Sequence, residues 1–424
     1  LALSVLALAG GVGMYWALHR KYNLHLHAPS GWTARLLFQR ALGGLFGWSA
    51  RITGAVENGR LQRSVAALLA SVVVVAAAPL LADGIVPGPR PLLAVAPLAA
   101  VAWLALAAGA LGAVVWHRER LVAVIAAGVV GLVVSLGFLY FSAPDLALTQ
   151  LSVEVVSTVL LLMALAVLPP TTPRESSPAR RRRDAALAGL AGAGVALIAF
   201  AAMTRDPDTM SWYFVEHSVP RGGGANMVNV ILVDFRGFDT YGEITVLAIA
   251  ALGVAALMAG VRARRPGADP AGRPWAAQVY PPLFAVAARW LLPFAVLVSA
   301  YIFFRGHNAP GGGFIAGLVT AVALVMQYMA HGFAPTARRV GGGYARLAAA
   351  GLLVAGLTGI GAWFFGAPFL TSAHGHPVLP LVGEVPLASA VLFDLGVYLT
   401  VVGGTLAAIA ALVRATGERA GEGT

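Results

Sequence analysis

Cysteine is absent from all 424 residues. That excludes disulfides, thiolate nucleophiles and cysteine-ligated iron–sulfur clusters within this chain. Charge is scarce as well: Asp, Glu, Lys and Arg together make up 11%, against about 25% in soluble domains. Lysine occurs once, at Lys21. The first residue, Leu1, is already apolar and has no basic segment before it. A secretory signal peptide needs that basic region, so the start is read as a fragment edge behind a longer polypeptide.

Apolar residues are abundant. They form 59% of the sequence, and the mean hydropathy is +0.80. The fold class expected is an all-α polytopic membrane protein. Eleven apolar spans are read: Leu1–Leu18, Leu61–Leu81, Leu92–Trp116, Leu121–Phe141, Asp145–Leu168, Ala185–Met203, Ile244–Val261, Val286–Phe304, Ile315–Ala330, Leu347–Phe365 and Leu387–Val413. They run from 16 residues, at Ile315–Ala330, to 27, at Leu387–Val413, about the length of a helix that crosses a bilayer. Trp32–Ile52 differs, because Arg35, Arg40 and Arg51 interleave with Leu36, Phe38, Leu42 and Phe46. It reads as an amphipathic helix lying in the interface. Thr204–Thr240 is the longest polar segment, with a tight turn expected at Arg221–Gly224. Val261–Pro282, rich in Arg, Gly and Pro, reads as a linker.

The formal net charge of +11 suggests a nucleic-acid partner until the arginines are located. With Leu1 outside, the cytoplasmic segments hold 24 of the 29 basic residues. The other side holds Arg90, Arg205, Arg221, Arg236 and Arg305. This is the positive-inside pattern, so the N-terminal edge is expected outside and the C-terminus in the cytoplasm. Arg180–Arg183 then form a topology anchor, and no nucleic-acid partner is expected.

Acids are few enough for their positions to matter. Glu154 lies near the middle of the fifth span, about 14 Å below its outer end at 1.5 Å per residue. Gln150, Glu154, Ser157 and Thr158 fall at i, i+4, i+7 and i+8 and share one face. An ionisable group at that depth costs about 2.5–3.5 kcal/mol on insertion scales, so it normally handles ions or protons. The plainer alternative is a neutral carboxyl hydrogen-bonded between helices. Glu243 and Asp394 enter their spans from the outer side, and Asp145, Asp234 and Asp239 crowd the outer rim. Together they suit a funnel for cations. Asp234, Asp239 and Glu243 also suit helix capping.

Arg236 and Arg305 could pair with these acids. His307 is either a proton relay or a structural loop residue. His374 and His376 lack further ligands, so no metal is read there. Gly311, Gly312 and Gly313 precede a helix without the Lys-Ser/Thr of a phosphate loop. Close backbone packing explains them better.

These motifs point to a family. SAPDLALTQLSVE (Ser142–Glu154) and VNVILVDFRGFDTYGE (Val228–Glu243) resemble the C-terminal part of the A subunit of Mrp-type multisubunit Na⁺/H⁺ antiporters. FRGHNAPGGGFIAGL (Phe304–Leu318) and VLFDLGVYLTVVG (Val391–Gly403) resemble the B subunit. Trp32–Leu81, with ENGRLQ at Glu57–Gln62, is similar to the end of the A subunit's complex-I-like portion. The resemblance implies two parts: an A-like region, 1–275, and a B-like four-helix region, 276–424. It implies a non-enzymatic component of a cation/proton antiporter in the cell membrane, serving pH homeostasis without a cofactor. The implied partners are the complex-I-like N-terminal half of A, the C and D subunits, the small E, F and G subunits, membrane lipid, Na⁺ and H⁺. By position, Glu154, Pro169 and Glu243 match positions the family links to antiport. The lysine-centred proton path of the A subunit's front half has no counterpart here, since Lys21 sits at a membrane edge.

The mechanism expected is competition at Glu154, which binds Na⁺ when ionised and H⁺ when protonated. Two rival readings remain. One is a membrane-arm component of a redox-driven complex such as a membrane-bound hydrogenase. The other is a scaffold whose acids only bind neighbouring subunits.

Overall fold

The structure, a computed structural model, describes residues 2–22, 33–56, 61–84, 87–167, 171–172, 177–261, 282–380, 383–384 and 387–415. The long helices are α1 (Ala2–Tyr22), α2 (Ala34–Val56), α3 (Leu61–Asp83), α4 (Pro97–Val115), α5 (Arg120–Tyr140), α6 (Pro144–Val167) and α7 (Pro178–Met203). After them come α8 (Ser211–Gly222), the short α9 (Met227–Val230), a π-helical turn Ile231–Phe235 and α10 (Gly237–Met258). The chain closes with α11 (Pro282–Arg305), α12 (Gly313–His331), α13 (Phe333–Val340), α14 (Tyr344–Gly361) and α15 (Ala390–Ala415). The strands are two residues each: β1 (His374–Gly375) pairs with β4 (Leu387–Ala388), and β2 (Val378–Leu379) with β3 (Gly383–Glu384).

Ten helical segments among the described residues are long and apolar enough to cross a membrane. The 24-residue α6 is the fifth expected span. Helices are the natural outcome, because a lipid-embedded backbone must satisfy its own N–H and C=O groups. The expected interfacial helix is α2, whose Phe38, Phe46 and Trp48 are exposed in the isolated chain.

Several boundaries differ from the sequence reading, each for a local reason. Helix α7 starts at Pro178, with Ser177 Oγ capping the Arg180 N–H at 3.3 Å. Arg180–Arg183 are therefore helical rather than in a loop. Proline at the first helical position favours this start. Helix α10 starts at Gly237, ahead of the apolar run at Ile244, which places Glu243 in its second turn. Helix α15 starts at Ala390, because Leu387 and Ala388 are held in the pairing with β1. The polar segment 204–240 is largely helical. Its tight turn is the end of α8, where Gly223 adopts φ +69°, a conformation glycine enters without a Cβ penalty. Pro169 and most of the linker Val261–Pro282 lie outside the described residues.

The described chain forms two compact units. In the first, built from residues 1–92 and 175–206, α3 packs on α7. Gln62 links the start of α3 to Arg180 (2.8 Å) and Asp184 (2.9 Å) on α7. At the opposite ends, Gly88 N–H donates to Thr204 Oγ1 at 2.8 Å. Segments assigned to the same side by counting spans therefore meet each other.

The second unit holds α4–α6 and α8–α15. Its core joins Val233 and Ile244 to Ala355, Leu370, Phe393, Val397 and Val401. Helices α14 and α15 pack backbone to backbone at Gly351, Gly396 and Gly403: a Cβ on Gly396 would lie 2.6 Å from both Gly351 O and Ala355 N. Small residues allow such contact where lipid removes the hydrophobic drive between helices.

Candidate ion-handling site

Glu154 lies in the middle of α6 and faces α5. A Cβ on Gly131 would overlap its carboxylate, and one on Gly128 would lie 3.9 Å from Oε1 and 4.0 Å from Thr158 Oγ1. The glycines of α5 thus open the space that the acid occupies. Ser135 Oγ, one turn further along α5, donates to Ala147 O at 2.9 Å and clips the two helices together. No hydrogen bond or ion pair reaches the Glu154 carboxylate among the described residues. Glu154, Gln150 and Thr158 are all half-buried, whereas Ser157 is exposed. Glu154 and Thr158 of the polar stripe therefore face α5. On another face of α6, Leu151, Ser152 and Val155 line an apolar cavity of about 390 Å³ with residues of α11 and α12.

The rim acids divide into two groups. Asp145 (8% exposed) and Asp394 (7%) are buried. Both accept hydrogen bonds from one glycine loop, residues 306–313. Gly311 N–H donates to Asp145 Oδ1 at 2.9 Å, and Gly313 N–H donates to Asp394 Oδ2 at 2.7 Å. Asn229 also hydrogen-bonds to Asp394. The glycine triplet is needed here. Gly312 has φ +105°, and a Cβ on it would lie 2.5 Å from Asn229 Nδ2. Asp239 and Glu243 remain exposed, and Asp239 forms a 2.5 Å ion pair with Arg236 on the surface. Arg305 stays within its own helix, lying 5.2 Å over the Tyr301 ring and 3.4 Å from its hydroxyl.

Asp234 and His307 sit outside the spans. Asp234 Oδ1 accepts the Ser372 N–H at 3.2 Å. Burial pushes its carboxyl above the ordinary 3.8, against the lowering effects of that bond and of His307 and His374. His307 is buried and donates Nε2–H to Gly222 O at 3.0 Å. Burial pulls its imidazole below the ordinary 6.5, against the raising effects of that bond and Asp234. His374 is exposed and stands against Gly223. No cluster of three metal-ligating side chains occurs among the described residues.

Three residues that matter here do not emerge from acid counting. Asn226 donates Nδ2–H to Gly306 O (2.9 Å), Ala309 O (3.1 Å) and Asp145 Oδ1 (3.3 Å). Asn229 reaches Asp394, and Gly131 makes room for Glu154. Two asparagines spaced i, i+3 before an apolar run are a usable signal, because buried amides need several partners. Gly131 gives no signal, since its role exists only once α5 faces α6.

Comparison with known proteins agrees with this architecture. Residues 283–407 match a family profile described as a domain related to the MnhB subunit of Na⁺/H⁺ antiporter. Residues 179–278 and 105–170 match profiles described as the E and D subunits of MBH. The chain is 38% identical over 444 residues to the A/B subunit of a probable K⁺/H⁺ antiporter of Rhizobium meliloti (strain 1021), covering 97% of this chain and 44% of that protein. It is 45% identical over 128 residues to the B subunit of the Na⁺/H⁺ antiporter of Bacillus subtilis (strain 168), covering 30% of this chain and 90% of that protein. A chain in the structure of the Mrp complex from Dietzia sp. DQ12-45-1b superposes with a TM-score of 0.76 at 32% identity, over 100% of this chain and 46% of that one. The chain thus spans less than half of the longer relatives it matches. It belongs to the family of multisubunit Mrp-type cation/proton antiporter subunits, with the C-terminal part of an A subunit fused to a B subunit.

Proposed function

We propose that this chain works within a multisubunit monovalent cation/proton antiporter and that Glu154 is its exchanging carboxylate. The observation that carries this reading is the placement of Glu154: inside a membrane span, against Gly131, with no protein partner among the described residues. A carboxylate there can hold a proton or a cation, but not both at once. Protonation and cation binding then compete for one group, which couples the two fluxes. Thr158 lies alongside to supply a neutral oxygen, and hard cations favour oxygen ligands. Gln150 continues the stripe toward the rim, and Pro169 follows the described end of α6.

Glu243 and Asp239, exposed at the start of α10, and Asp234 beside them supply negative charge at the outer mouth. Asp145 and Asp394 contribute to the pathway as groups that hold its rim. His307, kept neutral by burial, suits a structural role better than a relay. The boundary between A-like and B-like parts falls near 275/276, close to where the segment related to the E subunit of MBH gives way to the one related to MnhB. The start of the chain lies outside and the C-terminus in the cytoplasm, in the cell membrane. The partners are the remaining antiporter subunits. Relatives named for K⁺ and for Na⁺ leave both ions as substrates to be tested.

The test is cation-dependent collapse of ΔpH in everted vesicles, comparing the assembled complex with its Glu154→Gln form at matched assembly. Exchange driven by Na⁺ or K⁺ is expected to fall at least tenfold in the variant. Full exchange in Glu154→Gln would remove this residue from the coupling path. The profiles described as MBH subunits favour a second reading, a membrane arm of a redox-driven complex. In that case cation movement would require an electron donor, and exchange driven by ΔpH alone would be absent from the wild-type complex.

A further inference from the structure

The glycine loop 306–313 is held from three directions. Its own B-like part supplies Asp394. The other two holds come from the A-like part. Asp145, in the first turn of α6, takes the Gly311 N–H at 2.9 Å. The stretch 222–229 supplies the rest: His307 Nε2–H donates to Gly222 O (3.0 Å), and Asn226 N–H donates to His307 O (3.1 Å). Asn226 Nδ2–H donates to Gly306 O and Ala309 O, and Ala225 N–H donates to Asn308 Oδ1 (3.2 Å). Asn229 closes the set on Asp394.

Nearly all these groups lie in the buried region of the unit. Backbone polar groups buried without partners are destabilising. The loop therefore matches this face of the A-like part and no arbitrary surface. Glycines on both sides bring the backbones together: a Cβ on Gly224 would lie 2.5 Å from His307 O, and one on Gly312 would lie 2.5 Å from Asn229 Nδ2. Beside this polar set, Val233 and Ile244 of the A-like part share a dry core with Phe393, Val397 and Val401 of the B-like part. A polar anchor next to a packed apolar core is the anatomy of a stable protein interface.

In the Bacillus subtilis relative, the B subunit is a protein of its own, matched over 90% of its length. We propose that Asp145, Asn226 and Asn229 form a docking face for the B-like part, which binds through its glycine loop, and that this contact rather than the covalent link holds the two parts together.

The test reads assembly, so it stands apart from any result on transport. A specific protease site is placed within 262–281, the complex is purified in mild detergent, and the chain is cut. The B-like fragment is expected to remain associated through size-exclusion chromatography in the otherwise wild-type protein. With Asp145→Ala and Asn226→Ala combined, cutting is expected to release most of it, while the uncut variant keeps both parts through the link. Gly312→Leu, on the opposite side of the contact, is expected to give the same release. Should the A-like variants fail to fold even uncut, Gly312→Leu and amide exchange at 306–313 in the cut wild type decide the matter. Release of the B-like fragment from cut wild-type protein would overturn the proposal. So would retention as firm in the variants as in the wild type, or fast exchange of the loop amides in the cut wild type.

Discussion

Asp234 and His307 show how burial acts at single residues. The folded Asp234 carboxyl titrates above the ordinary 3.8, chiefly because burial disfavours its charge. Its contribution to stability is complete below pH 3.8 and is lost as pH rises through the raised value. His307 runs the other way: its contribution is present above pH 6.5 and is lost as pH falls through its lowered value. The groups facing this pair are His374 and each other. Asp234→Asn keeps the Oδ1 acceptor for Ser372 and removes the charge. The variant is expected to melt higher than the wild-type complex at pH 7 and equally near pH 3.5, read as the thermal midpoint in detergent. A lower midpoint at pH 7 would mean that attraction to the two histidines outweighs desolvation. Glu154 was legible in the sequence because a lone carboxylate in an apolar span stands out. Gly131, which leaves room for it, was not, because a glycine acquires meaning only from what faces it.

At the scale of elements, the positions of the long helices followed from the apolar runs, whereas their ends and the shorter helices α8, α9 and α13 did not. The start of α15 at Ala390 is decided by the pairing of Leu387 and Ala388 with β1, residues distant in sequence. Helices α14 and α15 were predictable as spans, whereas their mutual contact through Gly351, Gly396 and Gly403 depends on tertiary register. Gly396→Val puts side-chain atoms into the Gly351 and Ala355 backbone. Overpacking of this kind costs about 1–3 kcal/mol or more. The variant is expected to lower the yield of assembled complex severalfold in a native gel, while Gly137→Val, at a position with open space around its Cβ, leaves it unchanged. Equal yields for both would show that α14 and α15 separate without consequence.

For the whole molecule, the alternation of spans has internal support. Ends assigned to one side meet within each unit, as Gly88 meets Thr204 and as Asp145 meets the 306–313 loop. The absolute direction rests on the arginines and the positive-inside rule. A chain without cysteine is suited to testing it. Arg339→Cys is expected to react with an impermeant maleimide only in everted vesicles, and Asp206→Cys only in right-side-out cells. The reverse labelling would invert the topology and move the acidic rim to the cytoplasm.

The sequence by itself determined a helical membrane protein, the approximate place of every span, a carboxylate within one of them and a charge asymmetry from which an orientation is expected. These are local or additive properties, carried by hydropathy and by counts of arginine. Only the tertiary structure decided which acids are engaged and which are free. Asp145 and Asp394 look alike to Glu243 as outer acids in the sequence, yet backbone N–H groups from one distant loop hold the first two, and Glu243 is left exposed on the isolated chain. That distinction depends on which backbone donors three-dimensional packing brings within 3 Å of a carboxylate, and no spacing along the chain encodes it.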